Sequence, residues 1–321
     1  MPIRTYWLLL TQLLSLNFRR RASTVTAFDT ASQQPFHFLG NTSVQGTMPR
    51  APVLSISHGG GPLPILGDPS HKAIVHSLSA RAPKILRLGT ADAPKAIVLV
   101  TAHWSERNPT ISNGKKHRLE FDYYGFPDEA YKLRYDAPGS PEVAEEVFKV
   151  LEQTGMKPEM DEERGWDHGV FIPMLLINPA ANIPIVQMSV LSSESAADHY
   201  RMGVALSKLR DSNIAIIGSG FASFHNLRLM FSGIMKDPTF KKKNDAWSEA
   251  VLDAVTTRDA EERGRKMEAW RQWPGAYEMH PRGGADHFLP LVVCAGAGGE
   301  GKAESYKDEF MGLEMYSYCW A

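Results

Sequence analysis

The feature that most constrains this chain is a set of histidines placed where apolar segments end or begin. They follow runs that predict buried strands, or open an apolar helical run; they are His58, His103, His225 and His287. In an open α/β sheet the carboxyl ends of parallel strands lie along one edge, where ligands usually bind. Four imidazoles brought to that edge from distant parts of the chain predict a metal site.

The segments between these histidines alternate between two apolar patterns. Continuous apolar runs, such as residues 97–100, are typical of strands covered on both faces. They alternate with stretches of helical periodicity, so the sequence predicts a single α/β domain whose central, mostly parallel or mixed sheet is flanked by helices. Residues 105–140 are predicted to leave the sheet. Strands are predicted over 52–57, 97–100, 183–190, 214–217 and 311–320, and helices over 70–91, 141–151, 170–177, 193–209, 246–270 and 288–297.

Bulk composition excludes several classes of protein. With 321 residues, of which 43% are hydrophobic and 22% charged, the chain has ample material for a large core. The net charge of −1 offers no argument for nucleic-acid binding. The two cysteines, Cys294 and Cys319, match no metal or redox spacing. We expect both to be buried as small apolar side chains.

The first 47 residues differ in composition from the rest. Residues 1–28 contain no acidic residue and carry four arginines among leucines, in a stretch too short and interrupted to span a bilayer. This composition resembles a mitochondrial transit peptide. The alternative is a disordered extension ahead of a start at Met48. We therefore expect the catalytic domain to cover residues 48–321 of an intracellular protein, either cytoplasmic or, with a transit peptide, mitochondrial.

The glycine-rich segments fit other known motifs only in part. His58-Gly59-Gly60-Gly61 matches the oxyanion loop of some esterases, but no serine has the Gly-x-Ser-x-Gly surroundings that such a nucleophile needs. Gly218-Ser219-Gly220 follows a strand, yet Ser223 stands where a dinucleotide fingerprint has its third glycine. Serine hydrolase and dinucleotide-binding hypotheses are therefore rejected.

The metal hypothesis fits the histidines better. Neutral imidazoles suit Zn, Fe, Cu or Ni, and widely spaced histidines without cysteine indicate a catalytic site with open positions. Asp286 and Asp167 are adjacent to His287 and His168, and we expect them to orient those rings. The remaining histidines, in polar or helical surroundings, are expected at the surface; they are His37, His71, His76, His117 and His199.

Several short motifs, in order over roughly residues 51–320, together resemble one family. They are Ser57-His58-Gly59-Gly60-Gly61-Pro62, Thr101-Ala102-His103-Trp104, Tyr124-Gly125-Phe126-Pro127, Trp166-Asp167-His168-Gly169, Gly218-Ser219-Gly220 with His225-Asn226-Leu227, and His280-Pro281-Arg282 with Asp286-His287-Phe288-Leu289-Pro290. The chain resembles the class III extradiol ring-cleavage dioxygenases of the LigB type, and within them the 4,5-DOPA dioxygenase branch.

This resemblance implies a mononuclear non-haem Fe(II) site, with Zn(II) as a possible bound metal. It implies His58, His103 and His287 as metal ligands, His168 as the loop histidine that faces the substrate, and His225 as the catalytic acid and base, which is sometimes counted as a ligand too. One departure affects the third ligand, since the link between Arg282 and His287 is longer than in relatives. The alternatives for that position are Asp286, Glu278 and His280.

The activity implied by the resemblance is oxidative cleavage of a catechol with O2, giving a semialdehyde acid, as in aromatic catabolism. The expected partners are a small catecholic substrate and O2, with neither nucleic acid nor an integral membrane span. An aromatic wall for the ring is expected from Tyr123, Tyr124, Phe126 and Trp166. Two alternatives are a zinc-dependent hydrolase and a non-enzymatic Memo-like binding protein. The particular catechol, the ring bond cleaved and the oligomeric state do not follow from the sequence.

Overall fold

A computed structural model describes residues 50–321, so the predictions for residues 1–47 and the domain start at Met48 lie outside the described residues. One mixed sheet of eight strands forms the centre, in the spatial order β4-β3-β5-β2-β6-β1-β8-β7. The strands are β1 (Val53–Ser57), β2 (Ala96–Glu106), β3 (Thr110–Ser112), β4 (Glu159–Asp161), β5 (Ile185–Leu191), β6 (Ile214–Gly220), β7 (Glu304–Phe310) and β8 (Leu313–Trp320).

Four neighbouring strands, β5, β2, β6 and β1, run parallel and form the middle of the sheet. All residues of β1, β5 and β6, and β2 up to Ala102, are buried, as the continuous apolar runs predict. The chain closes with a hairpin in which β8 pairs antiparallel with β1, and β7 pairs antiparallel with β8. The predicted fold class, a central sheet flanked by helices, is confirmed.

Helices cover the sheet and connect its parallel strands. The first region runs from α1 (Lys72–His76) through a π-helical turn (Ser77–Arg81) into α2 (Ala82–Ile85). The helix predicted after residue 140 is present, and the Ser140 hydroxyl caps it by accepting the N–H of Val143. The remaining helices are α3 (Pro141–Glu152), α4 (His168–Ile177), α5 (Ala196–Leu206), α6 (Leu227–Met230), α7 (Pro238–Thr256), α8 (Ala260–Glu268), α9 (Ala276–Met279) and α10 (Leu289–Ala297).

Two regions differ from the sequence-based prediction. The long helix predicted over 246–270 is two helices, because Asp259 caps the start of α8 by accepting the N–H of Glu262. The strands β3, β4 and β7 were not predicted. β7 carries charged residues, as edge strands often do, and among the described strands it pairs with β8 alone.

The turn between β7 and β8 has an unusual residue. Phe310 pairs with Leu313, so only Met311 and Gly312 connect the strands. Both have positive φ, 53° and 90°, as a type I′ turn requires. Both cysteines are free and buried, as predicted. Among residues 50–321, no helix is long and apolar enough to cross a membrane.

Candidate metal centre and active site

Three histidines from separate elements meet at one edge of the sheet. His58 follows β1, His103 lies within β2, and His287 lies just before α10. The centres of their imidazole rings are 5.0 Å apart for His58 and His103, 5.3 Å for His58 and His287, and 4.8 Å for His103 and His287. The rings therefore form a nearly equilateral triangle, as three ligands of one ion do.

Glycines let the segment before α10 approach β6 closely enough to complete this triangle. A Cβ on Gly220 would collide with the carbonyl oxygen of His287, and a Cβ on Gly218 would lie 2.5 Å from the carbonyl oxygen of Pro290. The N–H of Phe221 donates to the same His287 carbonyl at 2.9 Å. The Gly218-Ser219-Gly220 sequence is thus explained by close packing of main chains.

Ser219 fixes the proton of His58. The Ser219 hydroxyl lies 3.0 Å from His58 Nδ1 and donates its own hydrogen to the carbonyl oxygen of Gly169. Since that hydrogen is committed, the hydroxyl accepts at His58, and Nδ1 carries the proton of the neutral ring. His58 Nε2 therefore presents a lone pair. Burial, together with the nearby His103 and His287, holds the pKa of His58 well below its ordinary value, which keeps the ring neutral.

Asp286 plays the same part for His287. Its Oδ1 accepts from His287 Nδ1 at 2.8 Å, as the adjacency in sequence predicts. The Nε2 of His287 is therefore the atom left with a lone pair. Burial, with the nearby His168 and His280, lowers the pKa of His287 well below its usual range. The ring is thus a neutral donor oriented by a carboxylate, an arrangement common around metal-bound histidines.

Asp122 serves two histidines at once. Its Oδ1 accepts from His168 Nδ1 at 2.8 Å and from the His168 main-chain N–H at 3.0 Å, while Oδ2 lies 3.4 Å from His103 Nδ1. Burial alone would lower the pKa of His168, but the Asp122 carboxylate raises it above its ordinary value. Burial lowers the pKa of His103 well below its usual range. Asp122 thus favours the protonated form of His168, whereas burial favours the neutral form of His103.

The carboxylate next to His168 in sequence is not its partner. Asp167 is fully buried and accepts from Thr101 Oγ1 at 2.7 Å and from Gln187 Nε2 at 3.2 Å. Burial raises the pKa of Asp167 to about 6. The expectation that Asp167 orients the His168 ring is therefore wrong, and Asp122 does so instead.

The His225 ring stacks face to face on the His287 ring. The two rings stack with centres 3.3 Å apart and planes 12° apart. Asp286 Oδ1 is 4.0 Å from His225 Nδ1, and the His225 main-chain N–H donates to Met279. Burial, together with His287, holds the pKa of His225 well below its usual range. His225 is therefore a neutral imidazole at the side of the histidine triangle.

The alternatives for the third ligand lie in different surroundings. Glu278 pairs with Lys243 at 2.7 Å on the surface. His280 is buried beside Trp247 and Phe288, with Nε2 2.9 Å from the carbonyl oxygen of Ala222. Of the alternatives, Asp286 alone is near the histidine triangle, where it forms a compact group with His225 and His287.

The donor set fits a divalent cation. His58 Nε2 and His103 Nε2 are 3.2 Å apart. Two ligand nitrogens each about 2.0–2.1 Å from a tetrahedral ion would be separated by about 3.3 Å. With Nδ1 of each ring facing an oxygen, both Nε2 atoms would be free to bind a cation held between them. A ligand nitrogen of His168 also comes within 4.8 Å of ligand nitrogens of His58 and His103, so several imidazoles can reach this centre.

The histidines open into a cavity of about 370 Å³. All five of His58, His103, His168, His225 and His287 line it, together with the glycines that follow His58. The aromatic wall expected from the sequence is elsewhere: the Tyr123 hydroxyl donates to Ala130, and Trp166 is fully buried. The actual apolar lining is Phe221, Leu227, Met230, Phe231, Phe310 and Met311, with Leu63.

His71 supports the glycine loop, although the sequence predicted it at the surface. Its side chain is buried, Nε2 accepts the N–H of Gly60 at 3.0 Å, and Nδ1 donates to Asp68 at 2.9 Å. Gly59, at φ +89°, has no room for a Cβ beside Pro64. His199, also predicted at the surface, is buried too, and its Nε2 accepts the N–H of Leu191. Both predictions were wrong.

Three kinds of residue at the site escaped sequence reasoning. Asp122 lies in the irregular region 105–140, where no periodicity marks it. Ser219 carries a weak signal, a hydroxyl at the end of a buried apolar strand. Phe310 and Met311 come from a hairpin that was not predicted and give no local signal.

Comparisons with known proteins agree with this fold. Residues 52–318 match the model of the family described as the catalytic LigB subunit of aromatic ring-opening dioxygenase. The chain therefore belongs to the LigB family, and the predicted family is confirmed.

Particular relatives share much of the chain. The dioxygenase tasH of Hapsidospora irregularis is 50% identical over 280 residues, covering 84% of this chain and 85% of that protein. The 4,5-DOPA dioxygenase extradiol of Beta vulgaris is 34% identical over 218 residues, covering 66% of this chain and 76% of its own. A crystal structure of the uncharacterized protein JW3007 from Escherichia coli K12 has 27% identity and a TM-score of 0.64, covering 85% of this chain and all of that one. Relatives named dioxygenases support an oxygenase enzyme that uses O2 and a small molecule.

Proposed function

We propose that this protein is an extradiol dioxygenase that opens the ring of a vicinal aromatic diol with O2 at a mononuclear Fe(II) centre, giving a semialdehyde acid. The observation that carries the proposal is the facing pair of nitrogens, His58 Nε2 and His103 Nε2, 3.2 Å apart. Each ring has its Nδ1 turned toward an oxygen acceptor. Membership of the LigB family supports the reaction class.

His58, His103 and His287 are the proposed ligands. Their ring centres are 4.8 to 5.3 Å apart. Rings bound to one ion at ordinary metal–nitrogen distances would have centres about 4.5–5.2 Å apart. His168 is assigned to the substrate instead, because Asp122 raises its pKa and so favours the protonated ring, which offers no free lone pair. Asp286 instead acts on the ligand His287, as an acceptor for Nδ1.

His225 is proposed as the acid and base rather than as a fourth ligand. Its ring is stacked on His287 with centres 3.3 Å apart. Since His287 would hold the metal through Nε2, the stacked His225 ring is assigned to the proton of the substrate instead. As a neutral ring, His225 can accept a proton from the substrate hydroxyl and return it later in the reaction.

The remaining residues bind and orient. When bound, Fe(II) would supply a Lewis acid for the diol and a binding position for O2. His168, held by Asp122, can donate a hydrogen bond to a substrate oxygen from Nε2. The glycines after His58 allow close approach of the ring, and the apolar lining excludes water. The same nitrogen donors also suit Zn(II), so the experiment below compares the two metals.

Anaerobic reconstitution tests the reaction. Metal-free protein is loaded in parallel with Fe(II) or Zn(II), then given air and a panel of catechols in an oxygen electrode. We expect the iron protein to consume one O2 per catechol and to form a yellow semialdehyde chromophore, while the zinc protein does neither. No O2 uptake with any catechol would argue against a dioxygenase, and turnover without O2 would favour a zinc-dependent hydrolase.

A matched pair of histidines tests the third ligand. His287→Gln removes a proposed ligand, whereas His280→Gln changes a buried histidine seven positions away that lies outside the cavity. We expect bound metal, measured by elemental analysis after gel filtration, to fall in His287→Gln and to persist in His280→Gln. The opposite result would transfer the ligand role to His280.

A further inference from the structure

We propose that the substrate is a catechol bearing an apolar substituent several carbon atoms long, rather than one bearing a cationic amine. This inference rests on the proposed function, since it places the diol at the histidines. It starts from an asymmetry of the cavity. Histidines occupy one end, and the lining away from them is almost entirely carbon and methionine sulfur.

Two separate elements form the apolar end. Leu227, Met230 and Phe231 come from α6 and the residue after it. Phe310 and Met311 come from the end of β7 and the adjoining turn. Phe310 continues inward through Phe221, whose ring centre is 5.7 Å away, toward His58. The apolar lining is therefore continuous from the metal centre to the mouth.

Met311 occupies a position that local structure disfavours. It is the first residue of the type I′ turn, at φ 53°, where Asn, Asp or Gly is preferred. Its side chain is 48% exposed, among the most exposed large apolar side chains of residues 50–321. An exposed methionine in a left-handed conformation gains nothing in the free protein. A bound apolar group that covers the Met311 side chain would account for a methionine at this position.

The charges along the cavity disfavour an ammonium group. Asp68 and Lys236 are the charged residues of the lining, apart from the histidines. Asp68 is only 9% exposed, and its Oδ1 already accepts from His71 and Ser70. Lys236 is exposed, so the charge at the mouth is positive. An aminoalkyl side chain would therefore bring an ammonium to a mouth whose exposed charge is already positive.

Equilibrium binding to the zinc-loaded protein tests the inference without turnover. The ligands are 4-methyl-, 4-propyl- and 4-hexylcatechol, with dopamine as a cation matched in length to 4-propylcatechol. Calorimetric titration is carried out without O2. We expect affinity to rise roughly fourfold per added methylene, as burial of apolar surface predicts. Dopamine should bind at least tenfold more weakly than 4-propylcatechol.

Two variants locate the effect. Met311→Asn introduces a residue that the turn prefers, so its melting temperature should be no lower than that of the parent. Its affinity ratio of 4-hexylcatechol to 4-methylcatechol should fall about fivefold, as loss of roughly 40 Å² of apolar contact predicts. Val204→Asn is the control, since Val204 is similarly exposed, at 45%, but lies on α5 outside the cavity. Its ratio should equal that of the parent.

The outcomes separate this inference from the proposed function. If 4-methylcatechol binds but the affinity is flat along the series, or dopamine binds more tightly than 4-propylcatechol, the substrate class is wrong and the reaction class stands. An unchanged ratio in Met311→Asn would also overturn the inference. If no catechol binds, both proposals fail. If alkylcatechols bind as expected but the iron protein consumes no O2, only the reaction is refuted.

Discussion

Removing the hydroxyl of Ser219 should loosen the metal centre without touching a ligand. In Ser219→Ala the His58 Nδ1–H and the Gly169 carbonyl oxygen both lose their buried partner. Two hydrogen bonds are lost and two groups stay unpaired, so the metal-free protein should lose about 2–4 kcal/mol of unfolding free energy. Without the Ser219 oxygen to accept from Nδ1–H, the proton of His58 is no longer fixed on Nδ1 and the ring is less well oriented. Metal affinity should therefore fall about 10- to 100-fold, the usual effect of removing such a hydrogen-bond partner.

The neighbouring serine supplies the control. Ser57 precedes His58 directly, is buried, and its hydroxyl has no hydrogen-bond partner among the described residues. Ser57→Ala should therefore change metal affinity less than twofold. Affinity is measured by competition with a fluorescent chelator, and stability by urea titration of the metal-free proteins. Parental metal affinity in Ser219→Ala, or equal losses in both variants, would refute the tautomer argument for His58.

Three further predictions follow from the packing and from the histidines. Gly220→Ala should cost about 1–3 kcal/mol of stability in urea titrations and lower bound metal, because its Cβ meets the carbonyl of His287; parental values would contradict the close packing. Burial lowers the pKa of His199 and of His280 to about 4, so below pH 6.5 the unfolded chain binds more protons than the folded one. As the pH is lowered from 6.5 to 4, the unfolding free energy should fall by about 1.4 kcal/mol per pH unit for each of these two histidines, and a flat pH profile would contradict this. His225→Gln should lower kcat about 10²- to 10⁴-fold with metal content unchanged; parallel loss of metal would make His225 a ligand.

The sequence specified the middle of the molecule well. The parallel strands are buried on both faces, so their apolar runs are unbroken and can be recognised in the sequence. The histidines near the ends of these runs could therefore be placed at one edge of the sheet. The hydrogen-bond partners of the site histidines were harder to predict from the sequence. The partner of His168 is Asp122, 46 positions earlier in the chain. The two are brought together by tertiary structure, including a bridge between Leu119 and Trp166, which no local pattern encodes.

Errors elsewhere have similar causes. His71 and His199 have polar neighbours in sequence, yet both are buried. A main-chain N–H from another segment donates to each ring, so that its polar nitrogen is satisfied in the interior. The break between α7 and α8 depends on one capping side chain, Asp259, within a continuous charged stretch. The hairpin strand β7 carries charges because it lies at the sheet edge, and edge strands lack the apolar run that identifies central ones.

The terminal hairpin has a consequence for how such a protein diversifies. His58 and His103 lie at parallel strands, whereas Phe310 and Met311 line the cavity from the terminal hairpin, in which β7 pairs with β8 alone among the described strands. Under the proposed function, exchanging that hairpin between family members should change substrate preference while leaving the histidines unaltered. Under the proposed function, Phe310 and Met311 are the part of the selectivity surface that lies apart from the histidines in the chain, whereas Leu227, Met230 and Phe231 closely follow His225.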